Sequence, residues 1–221
     1  MAEKYGTIPP KFTKAWWEYV WEYYKWHIVA TIVVMSFVGS FIHSCVTEVH
    51  YDLSIVHMNS LLIGEDVSLS LKESLSPIIN DIDENDERNI EFISLTTTNS
   101  PGFEEQNMAM ETKFMLTFTH DTTYLYLLSK EKCDTLMQAD ALGDYFLPVD
   151  EWDVDVEKNL SAEDSGDYAI DLTDNEYLKK HGFITKDMRL LIRPYFADSD
   201  KKGLGKKAYE NAYIIVNEIL K

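Results

Sequence analysis

Residues 104–141 have the sequence EEQNMAMETKFMLTFTHDTTYLYLLSKEKCDTLMQADA, in which a helical pattern, a turn, an apolar run and a second helical pattern follow one another. The first pattern predicts a helix from Glu104 to Phe118, because apolar side chains recur on one face. Its core-facing row consists of Met110, Phe114 and Phe118, with Met108 and Met115 beside it as core filler. The run Tyr124–Leu128 is apolar throughout, which predicts a central strand covered on both faces, and a helix from Lys130 to Ala141 follows it.

The alternation of strands and helices extends to both sides of this segment. Further apolar runs predict strands at Leu53–Met58, Ile90–Leu95, Tyr168–Leu172 and Met188–Arg193. One more helix is predicted through Leu71, Leu75, Ile78 and Ile79, bent or ended near Pro77. A C-terminal helix is predicted to place on one face Tyr209, Ala212, Tyr213, Val216 and Leu220. Residues 144–167 are acidic and are expected to form a surface excursion. The fold class is therefore α/β, with a mainly parallel sheet and helices on both faces over residues 51–221.

A long uncharged segment lies before this domain. No Asp, Glu, Lys or Arg occurs between Lys25 and Glu48, and the 19 residues from Ile28 to Val46 extend about 28 Å as a helix, close to the thickness of a hydrocarbon core. A helix buried in a globular core is the alternative, but its usual length is about 11–12 residues. The sequence predicts a transmembrane helix at residues 27–47.

Aromatic side chains crowd the N-terminal flank of this segment, as they do in the belts that anchor helices at membrane interfaces. The predicted anchoring residues are Trp16, Trp17, Trp21 and Trp26. The alternative is that this flank packs on another membrane protein, through the face formed by Trp16, Tyr19, Tyr23 and Trp26.

Flanking charges predict the orientation. Four lysines precede the apolar segment, and no Lys or Arg follows it until Lys72. By the positive-inside rule, residues 1–26 form a cytoplasmic tail with its aromatic juxtamembrane segment, and residues 51–221 lie on the extracytoplasmic side of the membrane. We expect an uncleaved anchor, because no A-x-A pattern ends the apolar segment. Lipidation of Cys45 is the alternative, since Ile42-His43-Ser44-Cys45 partly matches a lipobox.

The charge balance limits the choice of partner. The 221 residues include 38 acidic and 20 basic side chains, for a formal net charge of −18. Residues 1–50 hold four of each sign, so the excess lies in residues 51–221. Such a field repels a phosphate backbone and excludes nucleic acid as the main partner. Two cysteines, Cys45 and Cys133, are too few for a disulfide scaffold or a four-cysteine zinc site.

The segment Met110–Leu142 resembles the part of extracytoplasmic solute-binding proteins in which a helix, a turn, a strand and a short helix follow one another. His120 and Asp121 stand at that turn. The whole arrangement of tail, aromatic-flanked span and acidic α/β domain is similar to membrane-anchored proteins of Gram-positive bacteria, which implies a single-pass protein of a bacterial plasma membrane. The resemblance implies one lobe of a type II periplasmic-binding-protein-like fold. Members of that family bind solute between two lobes, whereas this chain has room outside the membrane for one.

The sequence contains one candidate metal site. Asp81, Asp83 and Asn85 offer oxygen ligands at the first, third and fifth positions of a calcium loop. Asp86 replaces the glycine of that loop and Phe92 its last ligand, so a solvated acidic turn is the alternative. A second candidate is a basic patch around Gly203 and Gly205, which would receive an anion or an acidic partner through Lys201, Lys202, Lys206 and Lys207. An exposed loop is its alternative.

No catalytic motif is present. The sequence lacks a G-x-S-x-G elbow and an H-E-x-x-H pair, and His57, His120 and His181 have no spacing that identifies a base beside a nucleophile. We therefore expect a protein without catalytic residues or cofactors, in which the domain outside the membrane binds a membrane or extracytoplasmic protein, as an accessory component of a transport system. The alternatives are a single-lobe receptor for a small-molecule ligand and, third, an enzyme.

Overall fold

The computed structural model describes residues 9–46, 49–98, 100–154, 167–197, 200 and 203–221. The chain divides into two compact units, Met1–Val49 and His50–Lys221. In the first unit, helix α1 (Lys14–Val46) runs through both the aromatic flank and the predicted span. It contains an 18-residue window of mean hydropathy 1.6, none of it buried. Among the described residues it is the one helix long and apolar enough to cross a membrane, a property that a signal sequence shares.

The second unit contains five strands and six helices in the part of the chain that the structure describes. Its strands are β1 (Leu53–Asn59), β2 (Ile90–Thr96), β3 (Thr123–Ser129), β4 (Ile170–Asp171) and β5 (Met188–Ile192). Its helices are α2 (Glu65–Leu75), α3 (Glu104–Thr117), α4 (Lys130–Gln138), α5 (Leu142–Tyr145), α6 (Glu176–Lys180) and α7 (Leu204–Ile219). A 3₁₀ turn at Ser76–Ile78 follows α2 directly, so the predicted helix ends beside Pro77 as expected.

The sheet is mixed, with the strand order β2-β1-β3-β5-β4. β1 pairs in parallel with β2 and β3, whereas β5 is antiparallel to both β3 and β4. The α/β class is confirmed, but the expectation of a mainly parallel sheet is wrong. A parallel crossover has to return the chain across the sheet. The connection from β4 to β5 contains only the five-residue helix α6 and does not cross the sheet. It therefore begins and finishes at the same end of the strands, so β5 runs antiparallel to β4.

Helices cover both faces of the sheet, as predicted. On one face, Leu53 and Ile55 of β1 pack with buried residues of α2, α6 and α7, among them Leu71, Leu178 and Ile215. On the other, Val56 and Met58 pack with α3, α4 and α5 through Phe114, Leu136 and Leu142. β3 is buried over its first six residues, which confirms its central position.

Several details of the expected packing are wrong. Met108 and Met115 are exposed, while Met110 packs against the core. Trp152, expected on a surface excursion, is only 6% exposed. Its indole nitrogen donates to the carbonyl of Leu147, and its ring packs in the core on the face of the sheet that α2, α6 and α7 cover. Residues 155–166 of that excursion lie outside the described part.

Candidate functional site

A small pocket lies where β1 ends and the chain turns into α2. Strands β2 and β3 flank β1, and the helices that follow β1 and β2 lie on opposite faces of the sheet. β1 therefore stands at the point where the winding direction of the sheet changes, and ligands of open α/β sheets bind at the carboxyl ends of strands at such a point. The pocket has a volume of about 80 Å³.

His57 of β1 forms part of the pocket wall and is 1% exposed. The ring stacks on Phe92 of β2, with 6.0 Å between centroids, and meets the edge of Phe183 at 6.4 Å. Its Nδ1 is buried and has no hydrogen-bond partner among the described residues. Burial lowers the pKa of His57 to about 4, so the ring is neutral at pH 7. Leaving a buried polar atom without a partner costs about 1–3 kcal/mol, which makes this ring an unusual element of a core.

Asn59, the last residue of β1, supplies the second polar group of the pocket. Its Oδ1 accepts the main-chain N–H of Ser60 at 2.7 Å, and its carbonyl accepts that of Thr97 at 3.3 Å. No described residue accepts a hydrogen bond from its Nδ2. The side chain is thus fixed by its oxygen and keeps a donor group at the end of the strand.

The pocket is closed on one side by the segment after α6. Gly182 has a φ of 88° and follows the helix in a Schellman arrangement, in which its N–H bonds the carbonyl of Lys179 and the N–H of Phe183 bonds that of Leu178. A Cβ on Gly182 would lie 3.2 Å from Val67 Cγ2, so glycine also allows the close approach to α2. This turn places Phe183 against His57 and Ile184 at the pocket.

The pocket rim is apolar and exposed. Leu61 and Leu62 of the β1–α2 loop are 46% and 79% exposed, and Ile184 is 58% exposed. All three line the pocket, and no Lys, Arg, Asp or Glu is among the described residues that do. The nearest acidic side chains in the sequence, Glu65 and Asp66, are exposed in the first turn of α2. The site therefore combines an apolar mouth with two neutral polar groups.

The sequence analysis considered His57 only as a base, found no spacing that supports that role, and missed Asn59. The signal that could have identified them is the polarity of both residues at the carboxyl end of an otherwise apolar run. β1 is an interior strand that is buried over all seven residues, and burying a polar side chain in it costs free energy.

The structure brings the predicted calcium ligands close together. Carboxylate oxygens of Asp81 and Asp83 lie within 4.8 Å of one another and of Asp52, a residue that the sequence did not suggest. The main-chain N–H of Asn85 donates to Asp81 at 3.4 Å. Asp83 keeps one buried oxygen without a described partner and accepts a hydrogen bond from Asn85 Nδ2 at 3.0 Å through the other. The calcium site stays a prediction.

Main-chain N–H groups already bind the other two carboxylates. Asp52, 2% exposed, accepts the N–H groups of Ile82 and Asn89 at 2.8 and 2.6 Å. Burial, and secondarily the charges of Asp81 and Asp83, raise the pKa of Asp52, although its hydrogen bonds oppose the shift. For Asp81, burial also raises the pKa, but amide hydrogen bonds, chiefly from Asp86 and Glu84, outweigh it, so the pKa is lowered. These contacts are those of an acidic turn tied to β1.

The predicted basic patch is only partly described, because Lys201 and Lys202 lie outside the described residues. Lys207 Nζ donates to the carbonyl of Ile82 at 3.0 Å and pairs with Glu84 at 3.3 Å. The carboxylate of Asp200 accepts the main-chain N–H of Lys206 at 3.0 Å, so a side chain of this protein binds at the start of α7. In the described part of the patch, the side chain of Lys207 and the main-chain N–H of Lys206 thus contact groups of the protein itself.

The remaining candidates are a tryptophan belt and two histidines. Trp17, Trp21 and Trp26 are 59%, 63% and 74% exposed on α1, while Trp16 is partly covered by its ring contacts with Phe12 and Trp17. His120 is exposed on the turn after α3, as expected. His181 Nδ1 lies 2.9 Å from Ser70 Oγ, a contact between α6 and α2, and the Nε2 of this ring has no described partner.

Comparisons of the chain with protein-family models, with curated proteins and with solved structures return no match.

Proposed function

We propose that this protein is a membrane-anchored binding domain without catalytic activity, which docks a partner protein outside the membrane. Helix α1 is long and apolar enough for a single span, and its apolar residues are exposed. Lysines 4, 11, 14 and 25 lie before the apolar segment and no cation follows until Lys72, which supports a cytoplasmic N-terminus. Residues 50–221 form a separate unit with its own core.

The observation that carries the proposal is the apolar rim at the carboxyl end of β1, which consists of Leu61, Leu62 and Ile184. Single exposed apolar residues are common on soluble domains, but contiguous ones around a pocket mark interaction sites. The rim therefore supports the docking of a protein partner. We propose that this partner lies in or beside the membrane, as the core of a transport system to which this domain is an accessory component.

A single-lobe solute receptor is the second candidate, because the pocket lies at the position where α/β sheets bind ligands. Its volume of about 80 Å³ weighs against this function, since sites for metabolite-sized molecules occupy about 300–1,000 Å³. The pocket is large enough for one side chain of a partner, and the rim provides the surrounding contact surface.

Site-specific photo-cross-linking in native membranes tests the proposal. Leu62 is replaced with p-benzoylphenylalanine, and the matched control carries the same group at Leu116, a 55% exposed leucine of α3 on the opposite face of the sheet. We expect a discrete protein adduct from position 62 that is absent from position 116 and is lost when Ile184→Asp is added. Equal adducts from both positions, or none from position 62, would contradict the proposal.

A further inference from the structure

Resting on the proposed function, the geometry points to the chemistry of the group that the pocket takes. We propose that the pocket formed by His57, Asn59 and Val67 binds one branched aliphatic side chain of the partner polypeptide, together with its flanking peptide groups.

The first step is charge. No charged side chain is among the described lining residues, and the acidic Glu65 and Asp66 stand in the first turn of α2 beside the mouth. An anionic group would meet these carboxylates, and a cationic group would find no counter-charge inside the pocket. A neutral occupant is therefore favoured.

The second step is hydrogen bonding. Asn59 lines the pocket, and because its Oδ1 accepts from Ser60, its Nδ2 is the group left to donate. The carbonyl of a peptide group beside the bound side chain would accept from Nδ2. His57 Nδ1 is buried away from the pocket space, so the neutral ring of His57 serves as wall.

The third step is shape. The walls include Leu61, Ile63 and Val67, and the cavity of about 80 Å³ is roughly half the volume of an apolar cavity that accommodates benzene. A leucine, isoleucine or valine side chain fits this space, whereas a tryptophan does not. Because Gly182 brings the segment after α6 close to Val67, the pocket has little room to widen on that side.

Binding of a minimal probe to the full chain in phosphatidylcholine nanodiscs tests this inference. The probe is N-acetyl-leucine N-methylamide, and the readout is the ring signal of ¹³C-labelled His57, assigned with His57→Gln. We expect a saturable shift of this signal, with affinity at least about tenfold above that of N-acetyl-glycine N-methylamide, because the glycine probe buries no side chain. Free leucine tests whether the pocket takes a free amino acid and not a side chain of a polypeptide. Because it carries two charges, we expect it to bind at least about tenfold more weakly than the leucine amide.

Two variants serve as controls. Val67→Phe fills the pocket and is expected to abolish the shift, and Ile184→Ser, an exposed rim change that leaves the core intact, is expected to weaken binding several-fold. An equal response to the glycine amide, equal binding of free leucine, or binding unchanged in both variants would overturn the inference. An adduct from position 62 without any probe-induced shift would leave the proposed function in place and remove this inference alone. A probe-induced shift without an adduct from position 62 would contradict the proposal that the partner is a protein.

Discussion

Asn211, in the middle of α7, holds both main-chain polar groups of Asn80, which lies 131 residues earlier in the chain. Its Oδ1 accepts the N–H of Asn80 at 2.8 Å, and its Nδ2 donates to the carbonyl of Asn80 at 2.8 Å. Nδ2 also lies 3.4 Å from the carbonyl of Asp52, just before β1. This fully buried side chain therefore joins the C-terminal helix, the acidic loop and the first strand.

Asn211→Ala is expected to destabilise the fold by roughly 2–4 kcal/mol, because it leaves the N–H and carbonyl of Asn80 without partners. The measurement is urea denaturation of the detergent-solubilised chain followed by circular dichroism. Glu210→Ala, an exposed change one position earlier on the same helix, is the control and should lie within about 0.5 kcal/mol of the wild type. A similar loss in both variants would mean that helix propensity, not the Asn80 contact, is responsible.

The C-terminal helix shows what the sequence could and could not predict. Its existence follows from helical periodicity, and of the predicted face Ala212 and Val216 are buried, while Tyr209, Tyr213 and Leu220 are only partly buried. The rest of the buried row, which the prediction left out, includes Ala208, Asn211, Ile215 and Ile219. Large aromatic residues shifted the predicted face to one side, because Tyr209 and Tyr213 lie at the border of the buried row, where their rings contact each other. A buried asparagine looks polar in sequence, and its partner is a distant main chain that no local pattern reveals.

For the sheet and the site, too, local features could be predicted from the sequence and tertiary features could not. The strand positions of β1, β2, β3 and β5 follow from short apolar runs, whose pattern is local. The direction of β5 depends on where the β4–β5 connection returns, which is a property of tertiary structure. The pocket is formed by β1, the β1–α2 loop and the turn after α6. These segments are far apart in sequence, so the sequence analysis did not predict the pocket, and the polarity of His57 and Asn59 within an apolar strand is the one local signal of it.

The predicted row of α3 gives a second stability test. Phe114 is fully buried, its ring meets Phe118 and Tyr126 at 5.2 and 5.9 Å, and Lys132 Nζ lies 4.6 Å from its centroid. Phe114→Ala is expected to cost about 3–5 kcal/mol, since it removes a core ring. His120→Ala, on the exposed turn that follows, should change stability by less than about 0.5 kcal/mol. Thermal melts of both variants decide the matter, and the reverse order would contradict this placement of helix and turn.

Exposed methionines of α3 should oxidise before buried ones. Met108 and Met115 are 71% and 43% exposed, whereas Met58 and Met188 are each 1% exposed. Dilute hydrogen peroxide is expected to convert Met108 first and Met115 next, leaving the two strand methionines intact while the chain stays folded. Peptide mass spectrometry at successive times gives the order. Early sulfoxide at Met58 would show that the core between the sheet and helices α3, α4 and α5 is open to solvent.

The proposed orientation predicts which positions an impermeant maleimide reaches in intact cells with the wall removed. Single cysteines replace Glu176, exposed on α6, or Lys11, before the apolar segment, in a Cys45→Ser background. We expect labelling at position 176 and none at position 11 until the membrane is permeabilised. Cys133 is fully buried and gives the background signal. Labelling at position 11 alone would reverse the orientation.

The buried ring of His57 predicts a pH dependence of stability. Its folded-state pKa of about 4 lies below the ordinary value of 6.5, because burial disfavours the charged ring. As the pH falls below 6.5 the unfolded chain takes up a proton at His57 and the folded chain does not, so proton binding stabilises the unfolded state. The contribution of the neutral ring is complete above pH 6.5 and is lost progressively as the pH falls to about 4, by roughly 3 kcal/mol.

The matched variant is His57→Leu, which keeps an apolar side chain between Phe92 and Phe183 and removes the titrating group. Carboxylates elsewhere titrate in the same range, so the quantity that matters is the difference between the two proteins. We expect the free energy of unfolding of the wild type, relative to His57→Leu, to fall by roughly 3 kcal/mol from pH 7 to pH 4. Neither ring that contacts His57 titrates, and no described lining residue of the pocket is charged, so the difference reports His57 itself. Urea denaturation of both proteins across this range measures it, and parallel curves would show that the ring is solvated and that the pocket is open to water.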